Sequence, residues 1–177
     1  MSLIDISERK LAEGTLRASE ERYRELFDES PVPIWDEDWT QIKQMFDNFA
    51  ESGVTDWRGY FKVHRDQLKA AYDLAEVNEI SLAACTLYRA SSKEELEQTT
   101  TAELAIDEEL DAFCEIALAF LAGEMTVEVE AKDRAVDGSY IFVRRRVVIP
   151  PNYRHDWSRV LYAIAEITEH TRSHAAL

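Results

Sequence analysis

Residues 125–149 read MTVEVEAKDRAVDGSYIFVRRRVVI, and this stretch decides the fold class. Val127, Val129 and Ala131 alternate with Glu128, Glu130 and Lys132, a side-chain period of two that marks a half-buried strand. Asp137-Gly138 supplies the positive-φ turn of a tight hairpin, and a second strand runs from Tyr140 to Ile149 until Pro150-Pro151 break the ladder. A third strand spans about Trp157 to Ile167, with Val160 to Ala165 apolar on both faces. Its outer face needs a cover, which the N-terminal helix or a second subunit would provide. In the Arg144-Arg145-Arg146 run successive side chains change faces, so at least one arginine points inward or toward a partner. It would pair with nearby acids or meet an anionic ligand.

Upstream of this stretch the period becomes 3.6. A helix starting near Asp107 carries acids in its first turn, presents Leu110, Phe113, Cys114, Ala117, Leu118 and Leu121 on one face, and closes at Gly123. Ser92-Lys93-Glu94-Glu95 has the form of a capping box for another short helix. A strand at 73–77 precedes a helix capped by Asn78, with Ile80, Ala83, Ala84 and Leu87 inside. Residues 39–72 hold two or three helices. Ile42, Met45, Phe46 and Phe49 mark the first, which stops near Ser52-Gly53; Thr55 and Asp56 then cap a stretch through Trp57, Tyr60, Phe61 and Val63 that continues to about Tyr72. Pro31 and Pro33 end an earlier helix, Val32 to Trp35 suits a strand, and Asp36 to Asp38 reads as an acidic turn. That earlier helix covers residues 5–28. Its Ala12, Leu16, Ser19, Tyr23 and Leu26 recur at coiled-coil spacing, a seam for a second helix or a face docked on its own domain.

The 177 residues are 46% hydrophobic, enough for one globular domain with a real core. A net charge of −15 argues against nucleic acid and anionic membrane as partners, and a high-salt habitat is a second reason for such an acid excess. The sequence has no apolar run of about 20 residues and no signal-peptide order, which predicts a cytoplasmic location. Cys85 and Cys114 lack CxxC spacing and read as small core residues. Glu166, His170 and His174 would share one face only if a helix ran through the strand end, so solvated side chains and no metal are expected there. With no phosphate loop, nucleophile elbow or HExxH, no catalytic residue is assigned.

Four local runs carry a resemblance to the PAS sensory domains. Val77-Asn78-Glu79-Ile80-Ser81-Leu82 followed by Tyr88-Arg89-Ala90-Ser91-Ser92-Lys93-Glu94-Glu95-Leu96 resembles the PAS strand, helix and serine-capped turn. Asp137-Gly138-Ser139 resembles the D-G-S hairpin, and Glu166-Ile167-Thr168-Glu169 the terminal D-I-T-E motif with Glu for Asp. Asp5-Ile6-Ser7-Glu8-Arg9-Lys10 resembles that terminal motif complete, placed before this domain. The resemblance implies an α+β, five-stranded antiparallel sheet with helices on one face, of a subgroup with a helical insert after the first strand. It divides the chain into a linker helix at 1–28 carrying the end of an upstream PAS domain, a PAS domain at 29–168 with its insert at about 36–72, and the start of an exit helix at 169–177.

The function it implies is a non-catalytic sensor or relay in a larger bacterial or archaeal signalling protein, such as a histidine kinase. Trp35, Tyr88 and Phe113 would be pocket walls, Asn78 and Arg144 polar contacts, and Glu166, Ile167 and Thr168 the transmission segment, unless the walls simply fill the core. The photoactive flavin-binding run G-R-N-C-R-F-L-Q is absent and residues 107–122 hold no histidine for haem, leaving a colourless small ligand or none. Partners would be a second copy, through the N-terminal helix or outer sheet face, and adjacent PAS and output domains. A small α+β enzyme with a pocket between sheet and helices, or a ligand-free dimerisation module, are the alternatives.

Overall fold

The computed structural model describes residues 2–102 and 107–168. Helix α1 (Leu3–Asp28) starts at a capping box, in which the Ser2 hydroxyl accepts from the Asp5 amide and the Asp5 carboxylate accepts from the Ser2 amide, each at 3.3 Å. Phe27 is its one buried residue, while Leu11, Leu16 and Leu26 stay exposed, so α1 meets the domain only through its last turns.

Strand β1 (Ile34–Asp38) follows. The run Asp36 to Asp38 is strand, where the sequence suggested an acidic turn, because β1 lies inside the sheet and is laddered on both sides: Asp36 pairs with Glu79 on one side and Leu161 on the other. The helical insert therefore begins at Trp39. It comprises α2 (Thr40–Glu51), α3 (Trp57–Val63) and α4 (Arg65–Tyr72). Gly53 closes α2 at φ 104°, a left-handed conformation that a side chain would strain. Asp56 caps α3 by accepting the Gly59 amide at 3.0 Å, and the stretch expected to run on to Tyr72 is broken at His64. Phe46 and Phe61, each 1% exposed, pack with ring centroids 5.4 Å apart and fasten the insert to the core.

Helical turns persist past α4, with Leu74 and Ala75 amides bonded back to Ala71 and Tyr72 carbonyls, so β2 (Glu76–Ile80) starts three residues later than expected. Asn78 is consequently a strand residue and no cap. Ser81 caps α5 (Leu82–Leu87) instead, its buried hydroxyl accepting both the Ala84 amide at 3.3 Å and the Ile34 amide at 2.9 Å. At α6 (Lys93–Ala102) the Ser92 hydroxyl accepts from the Glu95 amide as predicted, but the Glu95 carboxylate reaches the Ser91 amide, one residue earlier than the box requires.

Helix α7 (Asp107–Leu121) turns a slightly different face inward from the one expected: Leu110, Ala112, Phe113, Ile116, Ala117 and Phe120 are buried, whereas Cys114, Leu118 and Leu121 are half-buried. The last two turns, Ile116 to Leu121, are continuously apolar, so periodicity alone does not set the rotation; Trp39 and Trp157, each 5.6 Å from the Phe120 ring, draw Phe120 in.

Strands β3 (Thr126–Arg134) and β4 (Tyr140–Val148) form the hairpin around Gly138, at φ 86°, and β5 (Val160–Glu166) completes the sheet. All pairings are antiparallel in the order β2-β1-β5-β4-β3, with one register shift between β1 and β2 at Asp36/Glu37. The buried residues Ile141, Val143, Arg145 and Val147 show which face of β4 the helices cover. On the outer face Ala163 and Ala165 of β5 stay exposed, uncovered by α1. No helix among the described residues is long and apolar enough to cross a membrane.

Candidate functional site

The inner sheet face and helices α4 and α7 line a partly open cavity of about 120 Å³. Trp35, Tyr88 and Phe113 are brought together on its wall, with Trp39, Tyr72 and Tyr162. Trp35 and Tyr88 meet edge to face at 6.0 Å between centroids. Two residues expected at the site lie elsewhere. Asn78 points to the outer face, because its neighbour Val77 takes the inward position. Arg144 also falls on the outward parity of β4, half exposed and paired with Glu130 at 2.8 Å. The arginine at the cavity is Arg145, 8% exposed.

Arg145 organises an ionic group at the cavity wall. Its Nη2 lies 2.5 Å from Asp133 Oδ1 and 3.7 Å from Glu109 Oε1. Tyr88 donates its hydroxyl to Asp133 at 2.6 Å, and Tyr72 to Glu109 at 2.7 Å. Burial works against the charge of Arg145, but Asp133, Tyr88 and Glu109 outweigh it and hold its pKa well above the ordinary value. Burial also pushes the Glu109 carboxyl up, against the pull of Arg145. Glu37, from β1, accepts the Trp39 indole N–H at 2.7 Å. Burial raises its pKa to about 7, although bonds from Trp39 and Tyr162 favour the ionised form. Two buried donors at this wall remain unmatched: neither the Trp35 indole N–H nor the Arg145 Nε–H has an acceptor among the described residues.

The Glu37 carboxyl makes stability pH-dependent in a stated direction. The folded chain keeps this proton up to about pH 7, while the unfolded chain releases it near 4.5, so the contribution is present in acid and is lost as pH rises through about 7. Glu37→Gln removes that dependence. Between about pH 5 and pH 8 the melting temperature of the natural protein should fall further than that of the variant; parallel profiles would refute the assignment.

A second polar cluster ties α1 to the opposite face of the sheet. Asp36, 3% exposed, accepts Tyr23 Oη at 2.9 Å, Arg159 Nε at 3.1 Å and Asn78 Nδ2 at 3.3 Å. The Arg159 guanidinium also lies 4.8 Å over the Tyr23 ring. Burial, then the Asp36 charge, push the Tyr23 hydroxyl up to about 12. At the other end of β5, Glu166 is exposed and makes no ion pair among the described residues, while the Ile167 amide donates to the Phe142 carbonyl at 2.8 Å. His170 and His174, considered with Glu166 as a possible grouping, and the exit helix expected at 169–177 lie outside the described residues.

No protein-family model matches the chain, and no curated protein matches it. Solved structures do. The LOV protein of Rhodobacter sphaeroides superposes with a TM-score of 0.51 at 12% identity, over 90% of this chain and 73% of that one. A point variant of RsLOV gives 0.54 at 12% identity, over 88% and 72%. The PAS domain of an HTR-like protein from Haloarcula marismortui aligns over 89% of this chain and 99% of its own, with a TM-score of 0.48 and 14% identity. The chain has the PAS/LOV fold, α+β with a five-stranded antiparallel sheet.

Proposed function

We propose that the chain is a sensory relay module of a larger bacterial or archaeal signalling protein, such as a histidine kinase, that binds a small molecule in the cavity and passes its occupancy to an output domain. The observation that carries this reading is the position of β5. Its Tyr162 and Ile164 line the cavity, Arg159 just before it bonds Asp36 and Tyr23 of α1, and it runs out through Glu166 into Ile167-Thr168. One strand thus touches pocket, entry helix and exit. On this reading residues 1–28 link to an upstream domain and residues 29–168 sense. The seam face of α1, on which Leu16 and Leu26 stay exposed, is the surface for a second copy. A cavity of about 120 Å³ suits a ligand no larger than a single ring better than haem or a flavin, since a cavity of about 150 Å³ holds no more than benzene.

A ligand shifts an output only through a free-energy difference between two states, and that difference has to appear at the chain ends. Saturating the cavity with benzene should change amide exchange at residues 19–28 and 159–168 severalfold, and Asp36→Asn should abolish the change at 19–28 while leaving that at 159–168. Exchange that changes only around the cavity would overturn the relay.

A further inference from the structure

Three carboxylates and one guanidinium share the interior wall of the cavity: Glu37 of β1, Glu109 of α7 and Asp133 of β3, with Arg145 of β4. Each acid accepts a tyrosine hydroxyl, Glu109 from Tyr72, Asp133 from Tyr88 and Glu37 from Tyr162. The tyrosines orient the carboxylates but bring no positive charge, and Arg145 is faced by Asp133 at 2.5 Å and Glu109 at 3.7 Å. Glu37 makes no ion pair among the described residues; Trp39 and Tyr162, which bond it, are neutral donors. Two further charged residues of the lining, Asp73 and Arg134, are exposed at its rim, and Asp73 is bonded to Lys69.

With all three interior acids ionised, one guanidinium leaves negative charge unbalanced, and the Glu109 charge opposes ionisation of Glu37 while Arg145 favours it. Unpaired charge is costly away from water, so the chain alone keeps a proton on Glu37 up to about pH 7. A cation beside Glu37 would replace that proton. An anion would meet Arg145 already faced by two carboxylates and would reach Arg134 only at the exposed rim. Among the described residues no group of three His, Cys, Asp or Glu side chains is disposed to hold a metal ion, whereas Trp35, Tyr88 and Phe113 give the wall the aromatic character that suits an alkylated ammonium. We infer that the cavity takes a small organic cation of the alkylammonium class, with Glu37 as its counter-ion. Binding is then coupled to release of the Glu37 proton, and affinity rises with pH until Glu37 is ionised without the ligand.

This inference rests on the cavity being the sensing site, and three matched probes separate the two. Tert-butylammonium, tert-butanol and pivalate share one compact alkyl group and differ in charge. In NMR titrations of the whole chain at about pH 8 and about 0.15 M salt, tert-butylammonium should bind about tenfold more tightly than either of the others. Its affinity should fall about tenfold between about pH 8 and about pH 6, because a carboxyl with a pKa of about 7 must then give up its proton first. Calorimetry in two buffers of different ionisation enthalpy should show about one proton released per cation bound at the lower pH and almost none at the higher. Glu37→Gln should flatten that profile and bring tert-butylammonium within about twofold of tert-butanol. Tert-butanol or pivalate binding as tightly as tert-butylammonium would overturn the cationic ligand. A cation affinity that does not change with pH would overturn Glu37 as its counter-ion. Failure of every probe would overturn the cavity as a binding site as well. If Glu37→Gln does not fold, the pH profile and proton release of the natural protein decide alone.

Discussion

Arg145→Met should destabilise the fold by about 3–5 kcal/mol in denaturant unfolding at neutral pH. The cause is what it leaves behind. Asp133 is 2% exposed and Glu109 is anchored by Tyr72, so both carboxylates would remain in the interior without the guanidinium that faces them at 2.5 and 3.7 Å. Methionine fills much of the space, so the loss is electrostatic and not a cavity effect. Adding Asp133→Asn to Arg145→Met should recover part of the loss, because the second change removes a stranded charge while its amide still accepts the Tyr88 hydroxyl. A single variant within about 1 kcal/mol of the natural protein would show that the pair contributes little.

Trp39→Ala should cost about 3–5 kcal/mol as well, by a different route. Trp39 is fully buried at the joint between β1 and the insert. Its ring meets Phe113 at 5.2 Å, Phe120 at 5.6 Å and Trp157 at 6.5 Å, its amide donates to the Trp157 carbonyl, and its indole N–H serves Glu37. Truncation leaves a void among rings that cannot collapse far and removes the donor that favours ionised Glu37. The loss should be accompanied by faster amide exchange in α2, the first element hung from this residue. Exchange there unchanged alongside a small loss of stability would show that the insert is held by Phe46 and Phe61 without it.

Much of this arrangement is legible in the amino-acid sequence because period and turn chemistry are local. The β3–β4 hairpin, the long first helix, the aromatic insert and the fold itself follow from residues such as Val127, Val129, Gly138 and Phe46. The cavity was only half legible. Trp35, Tyr88 and Phe113 were recognisable as large apolar groups on inner faces, whereas Asn78 and Arg144 were placed by type and not by parity. Counting by two from Val143 gives Arg145, and from Ala131 gives Asp133, so the signal for this pair was present in the strand pattern. Glu37 was harder. Its neighbours Asp36 and Asp38 make the segment look like a solvated turn, and only the pairing of β1 on both sides turns an acidic run into an interior strand. The Asp36 clasp joins residues 13, 42 and 123 positions apart, a juxtaposition that no local pattern encodes.

The sheet is open, and its two borders, β2 and β3, offer unpaired backbone of the kind on which chains stack into fibrils. Neither border is inviting. β2 is five residues long, its register is broken opposite Asp36/Glu37, and it carries Glu76 and Glu79. β3 is longer, yet Glu128, Glu130 and Lys132 stud it with charge, so a second copy arriving in parallel register would set like charges beside like. The acid excess of the sequence thus acts at the two places where a soluble sheet is most vulnerable.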